Sequence, residues 1–272
     1  MRTTWTLAAT LVAGVWLAGN AANAQKSDAD WLAQCKEQDG DRYRYCEVRP
    51  VTVPVTGALR VDARPNGGVQ VTGRDQANVA GSARIQIQAD NEADARAIAG
   101  QIVIGTGSGA LRADGPKSSD GRSWSVSFVL SAPRHIDLVI DALNGPVGIA
   151  GVTGQIKATT TNGPMSLSDL GGNVHARTTN GPLNISLAGT SWTGEGLDAE
   201  TRNGPVSVTV PDGYSAQLEA STVNGPLHLG IPVTIQGELP AGRNRSIKAP
   251  IGSGGAPIRA VTTNGPVSIN KR

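Results

Sequence analysis

From Arg134 onward, apolar and polar residues alternate in short runs that break at one recurring triad, Asn-Gly-Pro. Its asparagines are Asn144, Asn162, Asn180, Asn203, Asn224 and Asn264, spaced 18, 18, 23, 21 and 40 residues apart. A short recurring period means a repeat architecture. Six positions before Asn stand Leu138, Ile156, Val174, Leu197, Leu218 and Ile258. Four before stand Ile140 and then five alanines, Ala158, Ala176, Ala199, Ala220 and Ala260. Two before stand Ala142, Thr160, Thr178, Thr201, Thr222 and Thr262. Apolar residues return three and five positions after Asn, as in Met165 and Leu167. The columns between are mostly polar. Alternation on both sides of the triad predicts two half-buried strands per repeat.

Asn-Gly between two strands ordinarily signals a hairpin. Here the residue that would donate the closing N–H is proline, which has none. Proline can begin a strand at little cost. The triad is therefore expected to turn a corner between strands that do not pair with each other. Each strand then pairs with its equivalent in the next repeat. The expected fold is all-β, a right-handed parallel β-solenoid of short ~18–23-residue coils; a β-sandwich is the alternative. Stacked at the ~4.8 Å strand spacing, the asparagines would form a ladder at the corner.

Leu59 to Val71 reads as a degenerate further copy, with Asn66-Gly67-Gly68 at its turn. Residues 84–130 break the repeat. Arg84–Gln88 and Trp124–Leu130 alternate as strands, and Gly115–Gly121 is a polar loop. Asp90 or Asn91 can cap a helix running to about Gln101, with Ala95, Ile98, Ala99 and Ile102 on one face. This helix-bearing insertion is expected to cover the N-terminal end of the solenoid. It is the one helix expected after the leader.

The first residues resemble a leader: Arg2, then an apolar run from Leu7 to Ala18, then Ala22-Asn23-Ala24. Cleavage after Ala24 would leave Gln25 first, and the product would be periplasmic, outer-surface or secreted. Residues 25–50 then form an N-terminal cap or strap and 51–272 a single solenoid domain, regular over 134–272. Loss of Arg2 leaves 23 basic against 22 acidic residues, a net charge of +1, down from +2. That balance argues against a broad nucleic-acid or membrane surface. No later stretch is apolar enough to span a bilayer. Cys35 and Cys46 are the only cysteines. In an oxidising compartment they are expected to pair; two free thiols, or a metal pair lacking its other ligands, are the alternatives.

Thr-x-Asn-Gly-Pro followed by alternating apolar residues resembles a bacterial family of exported proteins of unknown function labelled "putative adhesin". It is similar in style to autotransporter-adhesin head domains. The resemblance spans about Leu59 to Ile269. It implies a β-solenoid and an adhesive or envelope role, and it brings no catalytic motif.

Candidate chemistry is sparse. The asparagines read as a structural ladder or as a polar binding stripe. His135, His175 and His228 fall in different columns without metal-site spacing, so no metal or cofactor is expected. Asp198, Glu200 and Glu219 fall on adjacent coils of one face, beside His175 and Arg177. They are either a mixed-sign charge ladder or the carboxylates of a carbohydrate-active enzyme. Insertions tend to mark a binding face. Those around Ala188–Gly196 and Pro211–Tyr214 carry Trp192 and Tyr214. These rings either stack on a sugar or peptide or fold back onto the solenoid. The 40-residue interval contains Gly237–Gly255, with Arg243, Arg245 and Lys248, as a mobile anion-contacting loop or a degenerate coil. Three readings follow: a non-catalytic binding or scaffolding solenoid at the cell envelope, a β-helix enzyme, and an envelope-stress or signalling component. A cell-surface glycan or envelope protein is the expected class of partner.

Overall fold

The computed structural model describes residues 27–37, 42–54, 57–119, 121–232 and 245–272. The leader expected over residues 1–24, and Arg243, lie outside them. The chain opens with α1 (Asp28–Glu37), β1 (Tyr43–Val53), β2 (Leu59–Asp62), β3 (Val69–Arg74) and β4 (Val79–Ala89). It continues with α2 (Glu92–Gln101), β5 (Val103–Gly105), β6 (Ala110–Asp114) and β7 (Ser123–Pro133). The repeats then supply β8 (Leu138–Asn144), β9 (Val147–Ala150), β10 (Thr153–Asn162), β11 (Met165–Ser168), β12 (Gly171–Asn180) and β13 (Leu183–Ser186). They are followed by β14 (Gly196–Asn203), β15 (Val206–Val210), β16 (Ala216–Asn224) and β17 (Leu227–Leu229). The chain closes with β18 (Arg245–Ile251), β19 (Pro257–Asn264) and β20 (Val267–Lys271).

These strands form two ten-stranded sheets. The first runs β1-β4-β7-β3-β9-β11-β13-β15-β20-β17, the second β18-β16-β19-β14-β12-β10-β8-β2-β6-β5. Each Asn-Gly-Pro ends a strand of the second sheet and begins one of the first, so the two strands it joins do not pair. Equivalent strands pair in parallel and in register: Asn162 lies opposite both Asn144 and Asn180. The all-β, mostly parallel, unclosed arrangement expected from the columns is what forms. The inward columns are its core. Leu138, Ile156, Val174, Leu197, Leu218 and Ile258 are all buried, as are the alanines two residues on.

The coils do not stack in the order of the chain. β14 pairs with β19, and β19 pairs with β16. The Asn264 coil, last in sequence, is thus inserted between the Asn203 and Asn224 coils. Sequential stacking, the natural expectation from a repeat, fails at this point. Of Gly237–Gly255, residues 245–251 form neither a loop nor a coil of the stack, and residues 252–255 make a turn after them. β18 is an antiparallel edge strand on β16, burying Ile247, Ala249 and Ile251.

At the other end, β7 pairs with β3 in parallel, and β4 and β1 extend the first sheet beyond β7 in antiparallel order. β1 crosses the expected boundary at residue 50. As an edge strand it tolerates Pro50, which cannot donate to a ladder. α2 begins where Asn91 accepts from the Asp94 N–H (3.0 Å). Its C-terminal carbonyls, Ala99 and Ile102, accept from the Arg49 guanidinium at 2.8 and 2.6 Å. The helix thus has a side-chain oxygen at its positive end and a cation at its negative end. Ala95, Ile98, Ala99 and Ile102 are buried, as their spacing requires.

The helix α1 was not expected. Only Cys35 on it is buried, so it has no apolar stripe to read. It is held by particular contacts instead. Asp28 pairs with Arg84 (2.8 Å) and accepts from Ser82 (3.0 Å). The Arg84 guanidinium lies 5.7 Å from the Trp31 ring centre. Cys35 and Cys46 are disulfide-bonded, tying α1 to β1. Closing so short a loop contributes about 3 kcal/mol in the chain-entropy model.

Candidate functional site

Two surfaces and a pair of loops were candidates, and the corner ladder is the most regular of the three. Each asparagine side chain donates its Nδ2–H to the Oδ1 of its neighbour. The six bonds run Asn224 to Asn264 to Asn203 to Asn180 to Asn162 to Asn144 to Asn66, at 2.8 to 3.0 Å. The amide dipoles all point one way, which strengthens such a chain.

The threonines complete the same corner. In regular parallel pairing a residue donates its N–H to one neighbour residue and accepts at its C=O from the residue two further on. Gly181 donates to Asn203 O (2.9 Å). Its carbonyl should accept from residue 205, which is proline. The Thr201 hydroxyl of the same coil donates to that carbonyl instead (3.0 Å). Thr160, Thr178, Thr222 and Thr262 do likewise for Gly145, Gly163, Gly265 and Gly204. Threonine and proline are one device: the hydroxyl replaces the donor that proline removes. Thr201→Val, at a fully buried position, should therefore cost about 1–3 kcal/mol by stranding a buried carbonyl. The same change in a Pro205→Ala background should cost less, because residue 205 then offers an N–H. A double-mutant cycle followed by urea unfolding measures the coupling.

On the outer face of the second sheet, the charged columns meet. Asp198 receives Arg177 at 2.7 Å and Arg259 at 2.6 Å, with His175 Nδ1 at 3.6 Å. Glu200 pairs with Arg177 (3.1 Å), and Glu219 lies 3.4 Å from Arg259. The three carboxylates are not on adjacent coils. The inserted Asn264 coil places Arg259 between Asp198 and Glu219, so opposite charges alternate along the face. Burial raises the Asp198 carboxyl, but the hydrogen bonds and charges of Arg177 and Arg259 outweigh it and hold the carboxyl below its ordinary range. Among the described residues no group of three or more metal-ligating side chains comes together.

The two insertion loops meet each other: Ser215 N–H donates to Thr190 O (2.8 Å), and Ser191 bridges Ser215. Their aromatics turn inward. Trp192 is 8% exposed and donates its indole N–H to Gly172 O (3.0 Å). Tyr214 is 3% exposed, and burial pushes its phenol up to about 12. Both belong to the hydrophobic core. Neither ring offers the open face that stacking on a sugar or peptide needs, so of the two readings the folded-back one describes these loops. Spacing marks an insertion but not which way its side chains point, and nothing in the sequence separated the two.

His135 and His228 stand apart from the charged cluster. Among the described residues no helix is long and apolar enough to cross a membrane.

A search of curated proteins finds no match to the chain. Among solved structures, a "putative cell adhesion protein" from Clostridium sporogenes is 12% identical, with a TM-score of 0.43, covering 85% of this chain and all of its own. A "putative adhesin" from Bacteroides fragilis is 14% identical, with a TM-score of 0.32, covering 83% of this chain and 97% of its own. A "putative lipid binding protein" from Parabacteroides distasonis is 10% identical, with a TM-score of 0.24, covering 84% and 96%. At these identities and scores none carries a function over. The family model described as Toastrack DUF4097 matches residues 135–270, half of the chain and the whole run of Asn-Gly-Pro coils. The chain belongs to the Toastrack DUF4097 family.

Proposed function

We propose that the protein is an exported, non-catalytic β-solenoid that binds or scaffolds at the bacterial cell envelope, with a cell-surface glycan or envelope protein as its partner. One observation supports the non-catalytic part: Asp198, Glu200 and Glu219, the carboxylates singled out for acid–base work, are each engaged by an arginine on a sheet face. Acid–base pairs of glycosidases instead need a raised carboxyl, and Asp198 is lowered. The disulfide supports export, since such bonds persist in oxidising compartments. In this reading the coils of about 18–23 residues wind right-handed, as parallel crossovers do. The segment over about 84–130 closes the N-terminal end, with α2 lying on β4 and β1.

The test combines binding and turnover. The folded chain is applied to a glycan array and to isolated envelope fractions, and soluble reducing ends are assayed in parallel. Binding without release of reducing ends is the expected result. Release that disappears in Glu200→Gln would replace this reading with an enzyme, and absence of binding to any envelope component would remove it.

A further inference from the structure

Seven Asn-Gly pairs line one corner, counting Asn66-Gly67. Asn-Gly is the pair most open to self-cleavage of its amide, because glycine leaves its backbone nitrogen unobstructed. The nitrogen must be free to approach the asparagine Cγ. In six of the seven pairs it is occupied. Gly67, Gly145, Gly163, Gly181, Gly204 and Gly265 each donate their N–H to the asparagine carbonyl of the next coil, at 2.9 to 3.1 Å. The same six asparagines each accept at Oδ1 from the next asparagine.

The seventh pair is the outermost. The Asn224 coil has the Asn264 coil on one side, and no further Asn-Gly coil follows it. Among the described residues, nothing accepts from the Gly225 N–H and nothing donates to Asn224 Oδ1. The asparagine is exposed. Among the described residues, its single side-chain bond is the one it donates to Asn264 (2.8 Å).

We propose that Asn224 is the deamidation site of this protein. The Gly225 nitrogen loses its proton and bonds to Asn224 Cγ. The Cγ–Nδ2 bond breaks, and Nδ2 leaves as ammonia with the proton. Water then opens the five-membered imide to aspartate or isoaspartate, so the net change is water in and ammonia out. The product has lost the Nδ2–H donor, and its carboxylate faces Asn264 Oδ1, acceptor against acceptor. The outermost rung of the ladder is broken, and with it a restraint on the terminal coil.

The experiment ages the full folded chain in mildly alkaline buffer. Peptide mass spectrometry follows all seven Asn-Gly sites, and isoaspartate methyltransferase labelling identifies the product. A second sample is aged in denaturant. Modification at Asn224 should run several-fold ahead of the other six sites in the folded chain, and the seven should draw level in denaturant. The proposal is overturned if Asn224 is no faster than the others when folded. It is equally overturned if Asn224 keeps its lead in denaturant, because the fold would not then be the cause.

Discussion

Alanine at position 181 will destabilise the protein by about 3 kcal/mol or more, the range of forced overpacking with no escape. A Cβ there would fall within the van der Waals envelope of Gly163 O and 2.6 Å from the Gly163 carbonyl carbon. Both obstructing atoms are backbone, so no rotamer change relieves them. The Gly163 carbonyl cannot move away cheaply, because it accepts from Thr178. The same approach recurs from coil to coil along the corner, so a shift at one level is passed to the next. The midpoint of urea unfolding measures the loss. Gly100→Ala is the control: it lies near the end of α2 with nothing within 4 Å of its added Cβ. It should be neutral or slightly stabilising, since alanine outranks glycine in a helix. A Gly181→Ala protein as stable as that control would show that the corner is looser than drawn.

Trp192→Ala will cost about 3–5 kcal/mol, the usual range for removing a buried large aromatic. Two losses combine: the ring's burial in the core and the indole bond to Gly172 O. Trp192→Phe separates them. It keeps much of the volume, and its cost should fall to about 1–3 kcal/mol, the value of a stranded carbonyl. Thermal and urea unfolding of both variants distinguish a core residue from a contact residue. A Trp192→Ala protein of unchanged stability that had lost glycan binding would restore the loop as a ligand site.

Some of this architecture was written in the chain and some was not. The corner was legible because its parts constrain one another: asparagine stacks, and proline forbids the hairpin that Asn-Gly alone would signal. The inward columns were legible because alternation has one physical meaning on a half-buried strand. The helix α2 was legible from Asn91 and the spacing of Ala95, Ile98 and Ala99. The order of the coils was not. The five coils from Asn162 to Asn264 present the same asparagine, threonine and alanine rows, so any two of them can stack with equal chemistry along those rows. What distinguishes neighbours is the charged face, where Arg259 fits between Asp198 and Glu219. That signal appears only after the stacking is known. α1 escaped notice because its attachment is a disulfide and an ion pair, and neither leaves a periodic trace.

The coil order also sets a timetable. A ribosome or an export pore delivers the Asn224 coil before the Asn264 coil. Yet the first can reach the stack only across the second. Residues 216–229 must therefore wait, their parallel partner absent, until residues 257–271 have emerged. Growth from the N-terminal end can proceed coil by coil as far as Val210 and there must pause. The final strand pair closes the structure as a keystone closes an arch, and a chain cut short before Pro257 would leave two edges with nothing to join them.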